Sequence, residues 1–400
     1  ASGVVIDGRG CIDADHFAKA GVLLRCNGDA ARGSPMERCQ VHDITVQNTA
    51  IDTKLMCGAI QVDNATGAGS HFNLDGVKVC GVTVKDCGSH GVLVAYASNV
   101  EIANCRFESC RNHGTEAVGC TWVTIKSNRA IDCGLSAFGV GSQTQHFAID
   151  DNFADGCSGD GAITLEWNSV SGTVSRNILS NCRGSSCINI SFGLTKKPDG
   201  SWPVPPSSPF ATVHDITVSD NVLQGDPTGR SPKSFPGKQR GILAYADVGA
   251  PGYNLQLHNN QISSCFLAMD LNYFRHSAIS DTTVFSPLSP GNFLAALTWI
   301  TDSALRGLTC GAPVDDHAVQ ILDVSPGAGA STVRRPSDRL SLSDINADAP
   351  GKSVVFLGCG TEFVVSSITT SHAQHFVACG GPSPARCTVG GLAGSAAGAP

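Results

Sequence analysis

Short apolar runs set off by glycine, asparagine and aspartate recur along the chain at a nearly constant interval, with no helical spacing of apolar positions. Between Cys80 and Phe192 one phrase returns five times. It reads Cys87-Gly-Ser-His90-Gly91, Cys110-Arg-Asn-His113-Gly114, Cys133-Gly-Leu-Ser136-Ala137, Cys157-Ser-Gly-Asp160-Gly161 and Cys182-Arg-Gly-Ser185-Ser186, at steps of 23, 23, 24 and 25 residues. Each phrase leads into a short run such as Gly91-Val-Leu-Val-Ala-Tyr96 or Gly161-Ala-Ile-Thr-Leu-Glu-Trp167, and a second run such as Trp122-Val-Thr-Ile125 follows. Two or three short strands per period predict an all-β fold, a parallel β-helix solenoid with coils of 23–25 residues.

A second register runs through the same coils. The pattern aliphatic-x-x-Asn ends a strand at Asn128, Asn152, Asn177, Asn221 and Asn260. Coils stack at strand spacing, about 4.8 Å, so these side chains are predicted to form an asparagine ladder bonded to turn backbone. The cysteine column is predicted to be buried packing rather than reactive chemistry.

Strand alternation sets the facing of the site candidates. Ile163, Leu165 and Trp167, Ile188, Ile190 and Phe192, and Met269, Leu271 and Tyr273 are predicted inward. Thr164, Glu166, Asn189, Ser191, Asp270 and Asn272 then face out. Glu116 fits either phase. Residues 1–57 are expected to hold an N-terminal cap and the first coils, with a short helix within Asp13 to Ala20. The β-helix proper is assigned to 58–324, with insertions at 194–211 and 225–240 that wall one face. Irregular coils at 325–389 and a disordered tail at 390–400 complete the expectation.

Composition narrows the function classes. A net charge of -7 without a basic stripe argues against nucleic acid as a partner. No apolar run reaches the roughly 18 to 20 residues of a membrane-spanning helix. The 18 cysteines include no Cys-x-x-Cys, so the usual zinc spacing is missing. Cys26 with Cys39, and Cys379 with Cys387, close short loops as candidate disulfides, which favours a secreted protein.

An outward strip of carboxylates and amides beside long loops suits a groove for an extended sugar chain. Glycoside hydrolysis needs two carboxyl groups, and coil stacking can set their spacing. The catalytic candidates are Glu166, Asp247 and Asp270. Asn189, Ser191, Trp202, Lys238, Arg240, Tyr245, Asn272 and Arg275 are candidates for substrate binding. No metal and no cofactor is expected for such a hydrolase or intramolecular glycosyl transferase. The alternatives are a polyuronate lyase or C5-epimerase, for which calcium enters as a cofactor, and a non-catalytic glycan-binding solenoid. The partner is a poly- or oligosaccharide in every case, and flat solenoid faces admit a homo-oligomer such as a trimer. His90 and His113 read as polar turn residues that adjacent coils would stack as a pair. Asp150 and Asp151 read as a turn beside the ladder.

The coil period, the asparagine register and the Val-Ile-Asp-Gly-x-Gly opening resemble the right-handed parallel β-helix superfamily of pectate lyases, polygalacturonases, alginate epimerases, inulin fructotransferases and phage tailspikes. The resemblance covers roughly residues 4 to 300. It implies a polysaccharide-binding groove along one sheet. The Asp-Pro-His-Asp epimerase motif and the polygalacturonase series are missing. Arg334-Arg-Pro-Ser-Asp-Arg339 matches the Arg-x-Pro-x-x-Arg pattern of pectate lyases, without that family's Trp-Ile-Asp-His companion.

Overall fold

The computed structural model describes residues 4–16, 18–26, 36–50, 57–64, 74–191, 212–228, 239–246, 250–288, 293–322, 337–358, 360–380 and 386–396. Among the described residues every regular element is a β-strand. They fall into two compact units, one built from Ala1–Gly184 with residues 193–203, the other from Ser185–Phe192 with Val204–Pro400.

In the first unit three parallel sheets run up the coils. The first contains Gly58–Asn64, His90–Ala95, Thr115–Val118, Phe138–Gly141 and Gly161–Leu165. A second contains Leu74–Cys80, Ser98–Ala103, Thr121–Lys126, Gln145–Asp150 and Val170–Ser175. The third is made of short strands such as Arg106–Glu108, Arg129–Ile131 and Phe153–Asp155. Each strand pairs in register with its equivalent one coil on, as in Val100↔Val123 and Phe107↔Ala130. The inward positions fill the core with Val92, Val94, Val123, Ile125, Phe138, Ile149 and Ile163. Cys87, Cys110, Cys133, Cys157 and Cys182 are buried as the repeat predicts.

The ladder exists and does a specific job. Asn152 Nδ2 donates to Ile125 O at 2.9 Å and to Asn177 Oδ1 at 3.0 Å. Its own Oδ1 accepts from Asn128 N at 2.9 Å and Asn128 Nδ2 at 3.0 Å. Every coil turns a corner here, and the amide satisfies backbone groups that the corner would orphan. Asp151, at φ 54°, supplies the corner just before it, and Asp150 is ion-paired to Arg176, so the turn reading of both acids has its geometry. Replacing Asn152 by Ala strips four hydrogen bonds from a buried site. The expected loss is about 2–4 kcal/mol, read as a lower urea midpoint with an unchanged slope.

Several boundaries differ from the sequence expectation. Coils start at Val5–Asp7 and Cys11–Asp13, which pair with Met36–His42 and Thr45–Gln47. The described residues between Asp13 and Ala20 form a turn and no helix, with Asp15 and His16 at positive φ and Asp15 N donating to Asp13 Oδ1. In the second unit, Ser186–Ser191, Arg240–Tyr245, Leu267–Asn272, Phe293–Thr298 and Val319–Leu322 stack as one sheet. From Ala278–Phe285 onward two short strands fuse into one, since this strand pairs with both Gly252–His258 and Gln261–Ser263. Long strands occupy Asp338–Asn346 and Glu362–Cys379, the second with register shifts against both Ala349–Leu357 and Arg386–Ala396. Arg386–Ala396 is a strand in place of the disordered tail expected from residue 390, at least to Ala396. Cys39, Cys379 and Cys387 are free thiols, so neither candidate disulfide, Cys26 with Cys39 or Cys379 with Cys387, is formed.

Candidate active site

Glu116 sits on the outward row of the first sheet, which resolves its ambiguous phase. Register places Leu93, Glu116, Gly139 and Thr164 side by side across four coils. The neighbouring row carries Ala95, Val118 and Gly141, and Glu166 continues it, with Glu166 N donating to Val140 O at 2.8 Å. Two outward glycines in one strand leave a notch. A Cβ on Gly139 would stand 3.1 Å from Thr164 Oγ1 and 3.2 Å from His113 Nδ1. One on Gly141 would stand 3.0 Å from Glu116 Oε1 and 3.9 Å from Glu166 Cβ. The missing side chains are therefore what lets the two carboxyl-bearing residues approach from opposite sides.

His90 and His113 enter from the turn that opens each strand, in equivalent positions one coil apart. Their rings stack with centroids 4.9 Å apart and planes 13° from parallel. His90 Nε2 donates to Glu116 Oε2 at 2.9 Å, and His113 Nε2 lies 4.0 Å from the same oxygen. Both Nδ1 atoms are held in turn: His90 by Ser89 Oγ at 3.1 Å and Cys57 O at 3.2 Å, His113 by Ser136 Oγ. Asn112 Nδ2 donates to Ser89 Oγ at 3.1 Å, and Thr164 Oγ1 to Ser136 Oγ at 3.2 Å. The Cys-x-x-His phrase is thus the support of the site as well as a turn.

Burial separates the charge states. Desolvation, then the charges of Glu116 and Asp160, push the Glu166 carboxyl up to about 7. Burial acts to raise Glu116 too, but the attraction of His113 and the His90 hydrogen bond outweigh it, leaving this carboxyl below its ordinary value. Burial also drives His113 down to about 4. His113 is accordingly neutral above that pH, and the His90 bond holds Glu116 ionised near neutrality. One carboxyl thus keeps a proton and the other has lost it, the split that acid/base chemistry needs.

Trp167 follows Glu166 and departs from its predicted inward facing. At φ 55° its backbone is left-handed, which breaks the strand alternation and turns the indole outward, 50% exposed, next to the site. The other sequence candidates lie in the second unit or outside the described residues. Asp247, Trp202 and Lys238 belong to the latter group. Asp270 is 1% exposed, bound to Arg240 Nε through Oδ2 at 2.6 Å, and its Oδ1 accepts from Asn272 Nδ2 at 2.8 Å. Asn189, Ser191 and Tyr245 share its sheet, Ser191 opposite Tyr245 and Tyr245 opposite Asn272. Arg275 is exposed in a separate short strand, Phe274–Arg275. Arg339, the described end of the Arg-x-Pro-x-x-Arg match, is ion-paired to Asp302 and Asp338.

His90, His113 and Glu116 also bring one potential metal-ligating atom each to within 4.8 Å of the others. Two imidazoles and one carboxylate suit a zinc-class ion, whereas calcium takes six to eight oxygen ligands. The cluster therefore does not fit the calcium of the lyase alternative.

Residues 58–196 match the family described as right handed beta helix region. No curated protein sequence matches the chain. Among solved structures, the A-module of the mannuronan C-5 epimerase AlgE4 from Azotobacter vinelandii is similar over 89% of this chain and 91% of that one, with 12% identity and a TM-score of 0.59. The AlgE6 A-module from the same organism gives 88%, 90%, 13% and 0.57. A tailspike protein of the E. coli bacteriophage HK620, solved with a pentasaccharide, covers 93% of this chain and 71% of its own, at 11% identity and a TM-score of 0.54. At these identities the likeness is one of backbone architecture, and it agrees with the parallel coils described above: the chain is a right-handed parallel β-helix.

Proposed function

We propose that the first unit cleaves a glycosidic bond of a poly- or oligosaccharide, with Glu166 as general acid and Glu116 as the ionised partner. The observation that carries this reading is the pair of carboxyl groups flanking the Gly139–Gly141 notch with their proton affinities driven apart. Glu166 gives its proton to the glycosidic oxygen as the bond to the anomeric carbon breaks. Glu116 takes the proton of the incoming water, or of an internal hydroxyl in a transferase, or attacks the anomeric carbon itself. His90 keeps Glu116 charged, and Trp167 offers a face on which a sugar ring stacks. The ionised Glu116 repels a uronate carboxylate, which favours this reading over C5-proton abstraction from a polyuronate. An extracytoplasmic setting goes with such a substrate.

The test is incubation with a panel of neutral and acidic polysaccharides and fructans, with and without chelator, reading products by mass spectrometry. Fragments that each gain one water, formed equally with chelator present, are expected from hydrolysis, and internally cyclised fragments without that water from transfer. An unsaturated sugar end, or loss of all cleavage on chelation, overturns the assignment.

A further inference from the structure

We infer a second glycan-binding site on a different sheet of the first unit, built on Trp122 and His146 and selective for neutral pyranose chains. It is independent of the catalytic reading and shares no residue with it.

One residue per coil on the second sheet is forced into left-handed backbone. Register lines up Asn99, Trp122, His146 and Ser171, with φ of 55°, 56°, 55° and 56°. Gly76, at φ 70°, occupies the coil before them. Glycine and asparagine tolerate this conformation, whereas a bulky aromatic residue there is strained. Strain of this kind persists where the side chain has a task. Trp122 does not repay it by packing, because it remains 60% exposed. Its indole stacks on the His146 ring at 4.3 Å and 18°, which fixes the orientation of a flat apolar surface in water.

A groove of about 670 Å³ runs beside that surface. Thr124, Ala148, Glu101 and Lys126 line it together with Trp122 and His146. Lys126 Nζ lies 2.8 Å from Glu101 Oε1, and Lys78 Nζ 3.4 Å from Oε2. A flat aromatic face and a fixed carboxylate–ammonium pair in one groove match a pyranose ring, which has an apolar C–H face and a rim of hydroxyls that donate and accept. Both lysines are engaged by Glu101, so neither is left over to recruit the carboxylate of an acidic sugar.

The test is migration in native gels containing soluble β-glucan, xylan, galactomannan or dextran, with alginate and polygalacturonate as acidic arms. The intact protein, Glu116→Gln, Glu166→Gln and Trp122→Asn are compared. Asparagine suits the backbone at 122 better than tryptophan, so Trp122→Asn should melt no lower than the parent. We expect at least one neutral polymer to retard the parent and both glutamine variants equally, and Trp122→Asn at least tenfold more weakly. Retardation by no polymer, by the acidic ones alone, or undiminished in Trp122→Asn overturns the inference. Failure of the hydrolase reading leaves the same retardation intact and shows only as missing products.

Discussion

Glu166→Gln is expected to lower turnover by about 10²–10⁴-fold and, at the same time, to make the protein more stable in mild alkali. The second half follows from the sign of the shift. Folding raises the Glu166 carboxyl from 4.5 to about 7, so the folded chain holds this proton more tightly than the unfolded one. Its contribution to stability is fully present below about pH 4.5 and is lost as pH rises through about 7. At pH 8 the wild type then carries a buried charge worth on the order of 3 kcal/mol, which a neutral amide does not. Urea titrations at pH 5 and pH 8 should show the variant gaining at pH 8 and nearly equal at pH 5. Activity of the wild type should fall above about pH 7, where the acid loses its proton. A Glu166→Gln enzyme with full turnover would remove the acid role outright.

Arg240→Met should destabilise the second unit by about 3–5 kcal/mol, because it leaves the Asp270 carboxylate buried without its counter-charge. The double variant Arg240→Met with Asp270→Leu should recover most or all of the loss, since apolar packing replaces a desolvated pair at little net cost. Calorimetric melting of the three proteins checks both steps. Asp270→Asn separates structure from chemistry. A group held by Arg240 at 2.6 Å and Asn272 at 2.8 Å is engaged on both oxygens, so its loss should lower the melting temperature and leave product formation per folded molecule unchanged.

The coils were readable because their signals are periodic and local. The Cys phrase and the aliphatic-x-x-Asn corner each repeat a single structural need, a tight interior or a satisfied turn. Facing was readable only where one side of a strand is polar. Leu93, Ala95 and Val118 pack as an apolar cluster with Tyr96 on the outer side, so the strand around Glu116 is apolar on both faces and alternation carries no phase. Trp167 misled for another reason, as its left-handed backbone ends the alternation one residue early. The histidines were seen in register, yet what makes them a site is the pair of glycines on the next coil. Gly139 and Gly141 alternate with Phe138 and Val140, and that alternation is a signal in the sequence that something is meant to fill the space. Asp270 could not be separated from Glu166 by pattern, because its partner Arg240 comes from a strand 30 residues away.

The two carboxyls proposed as acid and base belong to coils separated by one intervening coil, the one that carries the glycine notch. Across the sheet their spacing is thus counted in whole coils of about 4.8 Å, on top of an offset of one outward row along the strand. Loss or duplication of one coil would leave the solenoid able to stack and yet change the gap between acid and base in a single jump. Such a scaffold has no gradual path from one reaction geometry to the next. It can step between stereochemical outcomes, and between these steps only the side chains can tune it.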